Sequence, residues 1–349
     1  MKYPEFLKPG GRIGFIAPSF GCDMEPYRTC FESALCSFEK IGFQTVIGPN
    51  ARASKGIGKS NTAEACAKEI NDFFTQDRSD ILISCGGGET MCEDLEFVDF
   101  QAISASKPKW FLGYSDNTNL TFTLPTLCDI AAIYGPCASN FGMRPWHESI
   151  QDTFELLKGA KLSVSNYEMW EKEQLKDEEN PLIPYNVTEK FDIKIANGIA
   201  KDDLNGSIKA DFSGRLIGGC LDCLVTLCGT QFDKVKEFDE KYSKDGLIWF
   251  MEACELSPMG IRRAIWQLDN AGWFKHVKGF LIGRPYHFGE DEMGMNQYNA
   301  VTGIIEKYGV PILMDVDLGH LPPMMPLISG AMADIKADLN HITVDMRLE

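Results

Sequence analysis

Short, wholly apolar runs alternate with helical patterns through the first part of this chain, and that alternation narrows its possible folds more than any other feature. Arg12-Ile13-Gly14-Phe15-Ile16-Ala17 reads as a buried strand ending at Pro18. Cys30, Phe31, Ala34, Leu35, Phe38 and Ile41 then recur at helical spacing. Thr45-Val46-Ile47 is a short strand, and Asn61-Thr62-Ala63-Glu64 is a capping-box signature ahead of Cys66, Ile70, Phe73 and Phe74. Ile81-Leu82-Ile83-Ser84 is another apolar strand, and it runs into Gly86-Gly87-Gly88. Strand–helix alternation of this kind predicts a parallel sheet covered on both faces. Ligands of such sheets sit beyond the carboxyl ends of the strands.

Gly113-Tyr114-Ser115-Asp116-Asn117 falls at one of those positions. It follows the apolar run Trp110-Phe111-Leu112 and precedes Thr118-Asn119-Leu120-Thr121-Phe122, so it reads as strand, tight turn and helix. A serine held there, over the positive end of a helix, suits a nucleophile whose reaction builds an oxyanion. The match to the hydrolase elbow G-x-S-x-G is partial, because Asn117 replaces the second glycine.

From about Lys161 to Asn205 the texture turns polar, with Trp170 at the start of the charged run Glu171 to Glu179; this is a surface excursion or a functional flap. Alternation then returns. Leu216 to Leu227 reads as a glycine-opened helix, Leu247 to Met251 as a strand and Ile261 to Trp273 as a helix. Phe280-Leu281-Ile282 and Ile312-Leu313-Met314 read as strands, and Leu327 to Gly330 with Ile342-Thr343-Val344 as closing antiparallel strands. The expected division is a first domain over 1–160, an insertion and linker over 161–210, and a second domain over 211–349. A length of 349 residues is enough for two cores.

Charge removes several function classes. A net charge of −16 argues against a nucleic-acid partner and against anionic lipid surfaces. No apolar run approaches the roughly 18 residues of a membrane-crossing helix, and the start lacks a signal-peptide pattern. The 12 cysteines are scattered through apolar runs and read as reduced core thiols, which makes the cytoplasm the expected compartment.

A serine nucleophile needs a base, and the base needs an orienting acceptor. The histidines are His147, His276, His287, His320 and His341. His320 lies in the proline-bound loop Asp315-Val316-Asp317-Leu318-Gly319-His320-Leu321-Pro322-Pro323, directly after a predicted strand. For the acceptor, Glu252 ends the apolar strand Leu247 to Met251, where a carboxylate is costly unless paired; Glu255 is the alternative. Gly58-Lys59-Ser60 lacks the first glycine of a phosphate-binding loop. Cys220-Leu221-Asp222-Cys223 is a lone C-x-x-C inside a predicted helix, which is weak support for zinc or redox chemistry. Asp315 and Asp317 could pair on a metal, but strand ends often carry such acids.

Taken in order, these segments resemble the LD-carboxypeptidase family of serine peptidases, which includes muramoyltetrapeptide carboxypeptidases and microcin C immunity proteins. The resemblance runs through Ile16-Ala17-Pro18-Ser19, Cys85-Gly86-Gly87-Gly88, Gly113-Tyr114-Ser115-Asp116 and Tyr134-Gly135-Pro136. It continues through Gly214-Arg215-Leu216-Ile217-Gly218-Gly219, Glu252 with Arg263, and Gly319-His320-Leu321-Pro322-Pro323. It implies a flavodoxin-like parallel α/β domain carrying the serine and a swivelling α/β domain carrying glutamate and histidine. The implied triad is Ser115 as nucleophile, His320 as base and acid, and Glu252 as orienter. The implied oxyanion donors are the backbone N–H groups of Asp116 and of a glycine, Gly87. No cofactor or metal is implied, and a homodimer is expected.

The excursion after Lys161 resembles that of the microcin C immunity branch, whose tryptophan can stack on a nucleobase; Trp170 resembles that tryptophan, and its other reading is that it pins the loop to its own domain or to a partner subunit. The form of the glycine turn and Cys254, two residues after the glutamate, depart from the family pattern and leave the substrate open. The expected activity is hydrolysis of a small peptide-like substrate, either a cell-wall peptide or a peptidyl-nucleotide. The reading from another class is a two-domain sensor that binds such peptides without cleaving them.

Overall fold

The computed structural model describes residues 1–200, 208–338 and 340–349. The chain divides into two compact units, Met1–Lys161 with Glu173–Asn186, and Leu162–Lys172 with Val187–Glu349. The excursion expected after Lys161 is thus shared between them, and its stretch 201–207 lies outside the described residues.

In the first unit, β1 (Arg12–Ile16), β2 (Gln44–Ile47), β3 (Ile81–Ser84), β4 (Phe111–Gly113) and β5 (Ala132–Tyr134) pair in parallel, in the order β5-β4-β3-β1-β2. Parallel neighbours need crossovers, and helices such as Tyr27–Ile41, Ala63–Thr75 and Phe100–Ala105 lie between the strands along the chain. On one face Ile16, Leu82 and Phe111 pack with Ile70, Phe73 and Phe74 from the second of these helices. On the other, Phe15 meets Phe31 and Phe38 at ring centroids of 5.6 and 5.8 Å. Burying an aromatic side chain of this kind contributes about 1.5–3 kcal/mol, which is why strands apolar on both faces need both coverings.

The helix Ala63–Thr75 starts one residue later than its sequence signature. Thr62 is the cap, its hydroxyl accepting the Ala65 N–H at 3.3 Å. Asn61 is already committed, donating to Asn50 Oδ1 and accepting from the Thr62 N–H, both at 3.0 Å. Glu64 therefore falls one place short of the capping-box position. Within this helix Glu69 is buried, and its two oxygens accept the Ala17 and Asn50 N–H groups at 2.8 and 2.9 Å. The polar segment Glu173–Asn186 is tied to this unit by the Arg144 N–H, which donates to the Leu182 carbonyl at 2.7 Å. The His147 and Tyr185 rings meet at 5.4 Å.

The second unit is built on a nine-stranded mixed sheet. Its parallel centre runs Ile208–Cys220, Leu247–Glu252, Val277–Gly283 and Ile312–Val316. Met332–Asp338, His341–Arg347 and Ser163–Ser165 extend it antiparallel on one side, and Lys194–Ala196 on the other. The closing strand expected at Ile342–Val344 is part of this extension. The helix expected from Leu216 is corrected: the strand persists to Cys220 and the helix is only Leu221–Leu227. Gly218 explains the misreading. A side chain there would bring its Cβ within 1.7 Å of the Phe250 carbonyl oxygen, so this glycine serves close strand contact and not a helix start. The next helix is Pro258–Asn270; Ser257 caps it, accepting the Gly260 N–H at 3.4 Å, with Pro258 at the first position.

Candidate active site

Ser115 stands directly beyond β4 with φ +63°, the left-handed region where a serine is strained by about 1–3 kcal/mol. Three hydrogen bonds hold the turn. The Ser115 N–H donates to the Tyr134 hydroxyl, at the end of β5, at 3.2 Å. The Asn117 side chain donates to the Gly86 and Tyr114 carbonyls at 2.8 and 3.0 Å, tying the turn to the triple glycine. Gly113 leaves room for that amide, since a Cβ there would come within 2.8 Å of Asn117 Cβ. Asn117, the departure from the elbow pattern, is therefore a brace for the turn. The helix expected to follow is broken into a 3-10 turn at Ser115–Asn117 and one α turn at Thr118–Thr121, which limits the dipole that it can offer.

Asp116 points inward and is only 3% exposed. Its carboxylate accepts the Ser19 hydroxyl at 2.5 Å, the Met91 N–H at 3.0 Å and the Asn119 amide at 3.0 Å. Burial raises its pKa and these donors oppose the rise. Gly87 passes close to the serine: a Cβ on it would stand 3.2 Å from Ser115 Oγ. Nearby, the Lys59 ammonium lies 2.7 Å from Asp94 and 3.1 Å from Glu93. The Gly58-Lys59-Ser60 stretch is thus a buried ion-pair anchor. Burial pushes the Asp94 carboxyl up to about 7 against the pull of Lys59.

In the second unit, Glu252 ends its strand at 2% exposure, and its Oε2 lies 2.8 Å from His320 Nδ1. Of the two carboxylates that the sequence leaves open, Glu252 is the one bonded to the imidazole; Glu255 is exposed. Two glycines make room. A Cβ on Gly319, at φ +101°, would fall 2.6 Å from Glu252 Oε2, and one on Gly283 would fall 2.9 Å from Glu252 Cβ. Burial disfavours the His320 imidazolium, but the Glu252 carboxylate outweighs it, and with the Cys254 thiol holds the pKa well above the usual histidine range. Nδ1 is thereby committed to the carboxylate, which fixes the orientation of the ring.

The loop carrying His320 is pinned from below by Arg284, which donates to the Asp315 carbonyl at 2.9 Å and to the Asp317 carboxylate. Asp315 also accepts from Gln297 at 2.8 Å and from the Tyr298 hydroxyl at 2.6 Å, and Asp317 from the Tyr167 N–H at 2.7 Å. These acids are engaged by organic partners. Among the described residues no group of three or more His, Cys, Asp and Glu side chains is arranged to hold a metal ion. Trp170 is 4% exposed. Its ring lies under the Arg284 guanidinium at 4.8 Å and edge-on to Phe288 at 5.0 Å, and its N–H donates to the Lys190 carbonyl at 3.2 Å. Arg263 lies on the exposed side of the helix Pro258–Asn270.

Tyr134, Asn117, Ser19 and Arg284 were not singled out as site-building residues from the sequence. Ser19 and Tyr134 fall in segments that carry the family resemblance but had no role there, Asn117 stands out as the odd residue of the pentapeptide, and Arg284 leaves no signal. Among the described residues no helix is long and apolar enough to cross a membrane.

Two family profiles match the chain: the LD-carboxypeptidase N-terminal domain over residues 13–135 and the LD-carboxypeptidase C-terminal domain over residues 213–335. The microcin C7 self-immunity protein MccF of Escherichia coli is 25% identical over 344 residues, covering 97% of this chain and 94% of that protein. Among solved structures, an MccF-like protein from Bacillus anthracis superimposes with a TM-score of 0.81 at 22% identity, covering 99% of this chain and 100% of that one. MccF in complex with glutamyl sulfamoyl guanosine superimposes with a TM-score of 0.79 at 22% identity, over 99% and 98% of the two chains.

Proposed function

The chain belongs to the LD-carboxypeptidase family, and on that premise we propose that it is a serine hydrolase that cleaves an acyl or amide bond in a small peptide-like substrate. The observation that carries the reading is the 2.8 Å bond between His320 Nδ1 and the buried Glu252 carboxylate, the base-and-orienter pair of a serine triad. The strained, triply braced Ser115 supports it as nucleophile.

In the proposed reaction Ser115 Oγ attacks the substrate carbonyl carbon while His320 Nε2 takes the hydroxyl proton. Glu252 stabilises the imidazolium that forms. The oxyanion is met by the N–H groups of Gly87 and Asp116. The bond to the leaving group then breaks, with His320 returning the proton to it. Water attacks the serine ester, again losing its proton to His320, and the acid product departs with Ser115 restored.

Two substrate classes fit: the terminal D-alanine bond of a murein tetrapeptide, and the acyl bond of an aminoacyl or peptidyl nucleotide. The second is favoured by the likeness to MccF, whose complex holds glutamyl sulfamoyl guanosine. Of the two readings of Trp170, stacking on a substrate ring or pinning its own segment, the second is proposed here, because its ring already meets Arg284 and Phe288 within its own unit. Mass spectrometry of a murein tetrapeptide and of an aminoacyl-adenylate analogue after incubation tests the proposal. Release of free D-alanine or of the free amino acid, abolished in Ser115→Ala, is the expected result. Binding of both compounds with no product from either would mark a sensor.

A further inference from the structure

The Cys220-Leu221-Asp222-Cys223 motif carries in its middle a carboxylate that the proposed triad does not use. Cys220 ends the strand beside Glu252, with the two residues in register, and Asp222 lies in the first turn of the helix that follows. The Asp222 carboxylate reaches the loop that leaves Glu252: Oδ2 accepts the Cys254 N–H at 3.0 Å and Oδ1 accepts the Glu255 N–H at 2.9 Å. Oδ2 also accepts from the Cys220 thiol at 3.3 Å. One carboxylate thus fixes two successive peptide groups immediately after the glutamate that orients His320. The same loop carries the Cys254 thiol, which itself interacts with the imidazole.

We propose that Asp222 is a positioning residue for the Glu252–His320 pair, acting through the backbone of Cys254 and Glu255. Hydrogen bonds to a charged acceptor are the stronger kind, and a pair of adjacent N–H groups on one carboxylate fixes orientation as well as distance. Without it the end of the strand is free to drift, and a sub-ångström error at Glu252 is enough to misalign the base. The inference rests on the triad reading above.

The test measures the rate at which a fluorophosphonate labels Ser115 as a function of pH, together with kcat and KM and the melting temperature, in wild type, Asp222→Asn and Asp222→Ala. Wild-type labelling at Ser115 that follows a single pH midpoint establishes the triad; its absence overturns the triad reading, and this inference with it. Given that midpoint, Asp222→Ala is expected to lower kcat by about 10- to 100-fold with KM within about twofold. Its labelling midpoint should move to lower pH, because an imidazole less well held by Glu252 loses part of what raises its pKa. Asp222→Asn keeps one acceptor oxygen and should fall between. A variant that melts earlier but labels with the wild-type midpoint and kcat would overturn the proposal and leave Asp222 as a fold-stabilising residue only.

Discussion

At the scale of single residues, each proposed member of the triad is prepared by neighbours of its own unit. Ser115 is strained into place, and Glu252 is desolvated behind two glycines and bonded to His320. Ser115→Ala and His320→Ala should each lower kcat by on the order of 10³-fold or more, with the fold intact by circular dichroism. Glu252→Gln should lower it less. The losses should not multiply; a double Ser115→Ala/His320→Ala variant far slower than either single would argue against a shared mechanism. The pH dependence follows from His320. Its pKa is raised, and the base must be neutral, so kcat/KM should climb with pH through a midpoint above the ordinary value of about 6.5. A profile flat from pH 5 to 9 would remove histidine from the chemistry.

At the scale of elements, the nucleophile turn and the glycine turn act as one structure, joined by Asn117. Gly87→Ala should impair catalysis with little change in melting temperature, because its methyl would press on Ser115 Oγ and not on the core. Unchanged turnover would remove Gly87 from the site. Glu69 offers an element-level test of the fold. Burial pushes its pKa up to about 7, against the N–H groups that it accepts. A carboxyl with a raised folded-state pKa stabilises most when protonated, and that contribution fades as pH rises through the folded pKa. Glu69→Gln loses one backbone acceptor and should cost about 1–3 kcal/mol at pH 5. The gap should shrink by pH 8, where wild type carries the buried charge and the amide does not. Denaturant melts at the two pH values check this, and a gap that widens with pH would contradict it.

The sheet of the first unit was readable because buried parallel strands leave wholly apolar runs, and the position of the turn that holds Ser115 because it sits at the end of such a run. Glu252 was favoured over Glu255 by its place at the end of an apolar strand and by the family resemblance, but the bond to His320 itself rests on burial and distance that no sequence pattern carries. The Leu216 helix was misread because glycines ahead of an apolar stretch look alike whether they open a helix or let two strands come close. Asp222, Arg284 and Trp170 act through long-range contacts with no periodic trace in the sequence.

At the scale of the whole molecule, the proposed chemistry reduces to Ser115 as a nucleophile driven by His320. Peptide mapping after reaction with a fluorophosphonate at fixed pH tests it most directly. A single adduct on the Ser115 peptide is predicted, absent in Ser115→Ala and formed at least 100-fold more slowly in His320→Ala. An adduct located elsewhere, or equal labelling rates with and without His320, would contradict it.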